Sequence, residues 1–314
     1  MADIGGTHGR FACESAAGLE NILKIPAAEY PTFTEALTAY CERHGYETKG
    51  ELYLALAAHD DGQGNWHFTN HNPWVIRPAE LERLGWKVGL LVMDFYASTV
   101  GALVAPVENL QMIKQGVPSS LPKAVLGPGT GLGMAYAFSL AGGGYHIQET
   151  YGGFMLLAGT TDEHREIIGL IQRLKGPRQV VYCEDAVSGR GLPLLYRAVC
   201  ERQGRAPLAN SSEDLLAMAD DADVRETLRL FHEFLGIFIH HVVLTGHAFG
   251  GIYLDGGMIH RLCETNLFDA ARVIDFMDLP GPSIVERDLA RVPIHIVKDP
   301  YVALRGLREL KNNA

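Results

Sequence analysis

The chain is short of positive charge, short of cysteine, and without an apolar run of membrane-spanning length. Its 27 lysines and arginines face 37 aspartates and glutamates, a formal net charge of −10. That balance argues against nucleic acid and anionic membrane surfaces as partners. It also gives an anionic ligand no long-range attraction, so any such ligand would have to be held by local donors. The five cysteines, Cys13, Cys41, Cys183, Cys200 and Cys263, are odd in number and lack paired metal spacing. They read as free thiols of a reducing cytoplasm. Pieces such as Leu90-Leu91-Val92-Met93 read as buried strands, too short to cross a bilayer. The N-terminus has no basic region followed by an apolar core, so no signal peptide is expected.

What the chain has is glycine in pairs at strand ends. Asp3-Ile4-Gly5-Gly6-Thr7 lets the backbone approach a ligand with its N–H groups and adds the Thr7 hydroxyl. An anion suits that geometry, and Asp3 would serve a hydrated Mg²⁺ rather than the phosphate itself. The same construction returns where Lys123-Ala124-Val125-Leu126 runs into Gly127-Pro128-Gly129-Thr130-Gly131-Leu132-Gly133. A looser copy follows Ile252-Tyr253-Leu254, as Asp255-Gly256-Gly257. Three such turns in one chain are far more specific than any one of them.

These residues resemble the actin-like ATPase superfamily, and within it the bacterial glucokinases of the hexokinase class. The resemblance covers nearly the whole chain. It makes Asp3, Gly5, Gly6 and Thr7 the first phosphate hairpin, and Gly129, Thr130 and Gly131 the second phosphate loop. Gly256 and Gly257 take the adenosine side. Phe68-Thr69-Asn70-His71 is similar to the family's sugar-side segment, and Met93-Asp94-Phe95 to the one carrying its catalytic aspartate. Glu184, with Ser188-Gly189-Arg190-Gly191, is similar to a helical segment whose glutamate reaches the sugar. The implied fold is α/β and two-lobed, of the actin-like (ribonuclease H-like) kind, with nucleotide and sugar in the cleft between lobes. The implied activity is transfer of phosphate from ATP, with Mg²⁺, to the 6-hydroxyl of a hexose. A small sugar is then the partner, and a homodimer is left open.

The sequence departs from the family at three places. Its Glu-Gly-Gly-His core is here Tyr151-Gly152-Gly153-Phe154, and the asparagine before the catalytic aspartate is Met93. The sequence also opens two residues before Asp3, where the family runs a full strand. Either the start lies upstream of Met1 or the first strand is a stub. Presenting Tyr and Phe to sugar hydroxyls leaves each unsatisfied at about 1–3 kcal/mol. The outcomes are a less polar or substituted sugar, a slow glucokinase, or a sugar- or nucleotide-sensing protein without catalysis.

Each candidate also has an ordinary structural reading. Asp94, between a strand and a helix, suits a helix N-cap as well as a base. Asn70 lies in Asn-His-Asn-Pro turn chemistry but offers a polyol both donor and acceptor. Glu184 reads equally as an exposed glutamate at a helix start. For Tyr151 and Phe154 the ordinary reading is core, and for Phe154 it is the favoured one. The pattern predicts a small lobe over 1–105, joined by a closing helix within 301–314, and a large lobe over 106–300. Helices are predicted at 161–174, 183–189, 193–202, 214–219 and 223–244.

Overall fold

The computed structural model describes residues 1–68 and 72–313, which divide into two compact units, Met1–Ala105 with Tyr301–Ala314, and Pro106–Pro300.

The first unit is built on a sheet in the order β3-β2-β1-β4-β8. β1 (Ala2–Ile4), β2 (His8–Ser15) and β3 (Gly18–Pro26) form a meander, and α1 (Phe33–His44) follows. β4 (Gly50–Leu56) runs between β1 and β8, with Leu54, Ala55 and Leu56 fully buried. Helix α1 has both its start and its stop signal. The Thr32 hydroxyl accepts from the Glu35 amide, and Gly45 ends the helix in the left-handed region at φ 70°. Its Phe33, Ala36, Leu37, Tyr40 and Cys41 bury one face at helical spacing. A small sheet of β5 (Ala58–Asp60), β6 (Trp66–Phe68) and β7 (Val75–Ile76) precedes α2 (Pro78–Arg83). β8 (Trp86–Met93) then returns beside β4 and runs directly into α3 (Asp94–Leu103). The closing helix Val302–Asn312 packs on α3 and β4 and presents Val302, Ala303, Leu304 and Leu307 to them.

Only three residues long, β1 is nevertheless paired on both sides, antiparallel to β2 and parallel to β4. Its hairpin is therefore anchored within the sheet rather than hung from its edge.

The second unit carries β9 (Leu110–Lys114), β10 (Lys123–Pro128), β11 (Leu132–Ser139) and β12 (Tyr145–Thr150). Next come α4 (Asp162–Lys175), α5 (Gly191–Arg202), α6 (Ser212–Ala217) and α7 (Ala222–Gly246). β13 (Gly251–Leu254), α8 (Gly257–Glu264), α9 (Ala270–Met277), α10 (Ser283–Ala290) and β14 (Ile294–Val297) complete it. The sheet order is β12-β11-β10-β13-β14-β9, with β10, β13 and β14 mutually parallel. The helix predicted over 183–189 is a single 3-10 turn, Cys183–Asp185, because the Asp185 carboxylate holds the Tyr182 amide and closes the turn on itself.

Against the expectation from the sequence, α7 is long and apolar enough to cross a membrane. It is instead the core helix of this unit, with 78% of its apolar window buried. Phe231, Phe234, Leu235, Phe238 and Ile239 fill the interior. Its most deeply buried carboxylate, Glu233, accepts from His164 at 2.7 Å, Arg229 at 2.6 Å and Arg272 at 2.8 Å, so that charge is fully compensated.

His232 ties α7 to α9. Its Nδ1 donates to Leu228 O at 2.6 Å, and its Nε2 accepts from the Asp269 amide at 3.2 Å. Only the neutral ring can do both, and burial lowers its pKa to about 4. The unfolded chain therefore takes the proton first, near the ordinary histidine value of about 6.5. The stabilisation is complete above that value and lost as pH falls towards 4. At pH 5 the loss from this group should be about 2 kcal/mol. The chemical-denaturation midpoint should fall between pH 7.5 and 5 by more in the parent than in His232→Gln, which keeps a donor and an acceptor without titrating. Equal falls in the two proteins would remove His232 as the cause.

Candidate functional site

Parallel pairing decides which residues can meet in each unit. In the first, Ile4 of β1 sits beside Leu56 of β4, and Leu56 beside Met93 of β8. The Gly5–Thr7 hairpin and Asp94 thus leave the same edge of the sheet, two strand spacings or roughly 10 Å apart. Carboxyl ends of parallel strands are where α/β sheets gather ligands.

The hairpin is braced by backbone and by one side chain. Gly5 N donates to His8 O at 2.9 Å, Ala57 N to Ile4 O at 2.9 Å, and Ala27 N to Thr7 O at 2.9 Å. Asn72, buried at 5% exposure, donates from Nδ2 to Gly5 O at 2.8 Å and accepts from the Trp74 amide at 3.0 Å. A trans peptide opposes its C=O and N–H, so fixing the Gly5 carbonyl turns the Gly6 N–H to the other side. Thr7 is exposed, with its hydroxyl 3.0 Å from His8 Nδ1.

Asp3 is buried beneath this hairpin and paired with Arg10 across the β1–β2 ladder at 2.9 Å. Burial pushes its pKa up, and the Arg10 guanidinium opposes the shift. No cluster of three acidic, histidine or cysteine ligands for a metal exists among the described residues. The donor set fits a Mg²⁺ that keeps its waters and its phosphates and meets Asp3 through water. It does not fit a metal held by the protein alone.

Asp94 is the first residue of α3, not its N-cap. Met93 holds the capping position and makes no side-chain bond there. The Asp94 carboxylate accepts from the Phe95 amide at 2.8 Å, which fixes its rotamer at the mouth of the helix. Asn70 lies outside the described residues.

In the second unit, the ladder pairing Leu126 with Leu254 sets the two glycine turns side by side. The Asp255 amide continues it by donating to Leu126 O at 2.8 Å. A Cβ placed on Gly129 would come no closer than 3.9 Å to any neighbour, and one of the two it reaches is the Gly257 amide at the start of α8. The loop therefore opens on space beside a helix N-terminus, an arrangement suited to an anion. Gly129 and Gly131 keep ordinary φ angles, so room rather than left-handed backbone explains them. Gly256 differs: φ is 108°, and a Cβ would lie 2.6 Å from Pro128 O. Asp255, buried below, has His260 Nε2 3.3 Å from its carboxylate.

Glu184 lies against this loop. It accepts from the Leu132 amide at 3.4 Å and stands 3.5 Å from the Arg190 guanidinium. It is largely buried, so the reading as an exposed helix-start glutamate does not hold. Next to it the Cys183 thiol is buried, and burial pushes its pKa up to about 12.

Tyr151 and Phe154 are not core residues, contrary to the ordinary expectation. Tyr151 is 71% exposed and Phe154 52%. The cause is the pair between them: a Cβ on Gly152 would meet Met134 Sδ at 2.2 Å, and one on Gly153 the Leu132 carbonyl at 2.3 Å. Those two glycines pack inward in a 3-10 turn and turn both flanking rings outward. The rings lie 6.4 Å apart, with Phe154 set edge-on to Tyr182 at 5.4 Å.

Sequence reasoning missed Asn72, Arg190 and the Asp255–His260 pair as site residues. Asn72 acts over 67 residues of chain and had no local signal beyond its turn chemistry.

A family model described as Glucokinase matches residues 1–314. The glucokinase of Pseudomonas aeruginosa is 35% identical over 269 residues, covering 84% of this chain and 80% of that one. That of Saccharophagus degradans is 31% identical over 315 residues, covering 98% and 95%. Among solved structures, a glucokinase from an Antarctic psychrotroph superposes with a TM-score of 0.78 at 25% identity, covering 100% of this chain and 98% of that one.

The loop geometry separates two glycine substitutions. Gly129→Val should fold with an unfolding midpoint near the parent's, since its side chain enters open space, yet abolish nucleotide binding in calorimetry. Gly256→Ala should lower the midpoint, through strained backbone and the Pro128 carbonyl. Unchanged nucleotide affinity in folded Gly129→Val would remove the loop from the site.

Proposed function

Because the chain belongs to the glucokinase family, we propose that it phosphorylates a hexose at its 6-hydroxyl, with ATP as donor and the residues below as its machinery. One observation carries the reading of the donor site: at Gly129 the loop opens beside the N-terminus of α8, with no side chain within 4 Å of where a Cβ would stand. Gly256 and Gly257 take the adenosine side, and Gly5, Gly6 and Thr7 contribute the second set of backbone donors. Mg²⁺, when bound, offsets the charge developing on the transferred phosphoryl group. Asp3 would hold it through a water.

Asp94 is the base. Its carboxylate is oriented by the Phe95 amide, which supports a role accepting the proton of the attacking hydroxyl. Glu184 and Asn70 bind the sugar's other hydroxyls. No observation favours the non-catalytic alternative. The short first strand is paired on both sides, and its hairpin is held by Asn72 and Ala57.

The preferred acceptor follows from the exposed rings. Tyr151 retains one hydroxyl for a sugar, while Phe154 offers only a face and an edge. A hexose with an apolar substituent or a missing hydroxyl fits them better than glucose itself, and the reducing compartment expected for five unbridged thiols is the cytoplasm.

Asp94→Ala should cut turnover at least about 10²-fold with nucleotide affinity intact. Comparable rates in mutant and parent would sink the assignment. Against a panel of hexoses, amino sugars and deoxy sugars, glucose should bind weakly to the parent. The double substitution Tyr151→Glu with Phe154→His should raise glucose phosphorylation at least about tenfold, by recovering two polar contacts. Micromolar glucose affinity in the parent would show that these rings do not face the sugar.

A further inference from the structure

Every carbonyl of the Gly129-Thr130-Gly131 loop is already taken. Gly129 O accepts from Gly189 N at 2.7 Å, and Gly131 O from Gly129 N at 2.9 Å. Thr130 O accepts twice from one residue, from Arg190 N at 3.2 Å and from Arg190 Nε at 3.3 Å. All peptide bonds among the described residues are trans, so carbonyls drawn towards residues 189 and 190 send the Thr130 and Gly131 N–H groups the opposite way. Neither amide has an acceptor among the described residues. An anion thus meets donors without facing a carbonyl lone pair.

The segment that does the pulling is itself fixed. Ser188 Oγ donates to Glu184 O at 2.7 Å and accepts from Gly191 N at 2.9 Å, and the Ser212 hydroxyl holds Gly189 O. One feature works against an anion. The Glu184 carboxylate presses on the loop, so close that a Cβ on Gly131 would lie 3.0 Å from Oε2. A bare carboxylate there would repel phosphate. The Arg190 guanidinium, 3.5 Å from Oε1 and half exposed, is the charge that offsets it.

We infer that Arg190 is a positioning residue for the phosphoryl donor, fixing the Thr130 carbonyl and neutralising Glu184 so that the loop's amides are free to donate to phosphate. The inference rests on the reading above that this loop takes the nucleotide's phosphates. It assigns Glu184 a second duty, since the carboxylate proposed to meet the sugar also meets the loop.

Calorimetry of the full chain with Mg²⁺ and a non-hydrolysable ATP analogue tests it. Arg190→Ala should weaken the analogue about tenfold, the scale of a lost contact to a charged group. Its affinity for sugar alone should stay within about twofold, because no sugar contact is assigned to Arg190. Adding Glu184→Gln should bring the analogue's affinity back most of the way, since it removes the uncompensated carboxylate while leaving an acceptor for Leu132 N. A merely structural Arg190 would lower the unfolding midpoint and show no such rescue, which would overturn the inference. Unchanged analogue affinity in folded Arg190→Ala would overturn it as well. A parent that binds no analogue would overturn the loop reading, and this inference with it.

Discussion

Parallel strand pairing is the constraint on which the rest depends. It aligns carboxyl ends, so Ile4, Leu56 and Met93 finish together in one unit, and Leu126 and Leu254 in the other. Gly5, Asp94 and Gly256 stand one or two residues past such an end. The sheet supplies position, and the turns need only supply chemistry. This explains how a first strand of three residues suffices: the ladders on both sides carry its placement, while its length adds little.

Glycine serves two purposes in these turns. At Gly256 the backbone itself is left-handed and in contact with Pro128, so no other residue fits. At Gly129 the backbone is ordinary, and the missing side chain is simply space. A glycine pattern in a sequence cannot distinguish these cases, because the difference lies in which neighbours arrive from elsewhere in the chain.

Much of the fold was legible. The strand through Leu90–Met93, ending just before Asp94, and the closing helix within 301–314 carry their signal locally. The small sheet β5–β7 was not foreseen, since its strands are two or three residues long and too short for a periodicity. The core position of α7 was equally hidden. Charges at Arg229 and Glu233 interrupt its apolar run, and only partners on α4 and α9 make them acceptable inside. In the site, glycines and acids announced themselves. The outward turn of Tyr151 and Phe154 did not, because it is set by Met134 and Leu132 on another strand. Asn72 and Arg190 stayed silent for the same reason: each acts on a backbone carbonyl distant in sequence.

The buried thiol beside Glu184 has a consequence for how the molecule ages. With its pKa near 12, Cys183 is thiolate in only about one molecule in 10⁵ at neutral pH. Peroxide and electrophiles attack the thiolate, so this sulfur is chemically quiet although it adjoins a residue assigned to substrate. Exposure leaves Cys13 more open to oxidation than the buried Cys41, Cys183 and Cys200. What burial shields is the Cys183 sulfur itself, while Arg190 next to Glu184 stays half exposed.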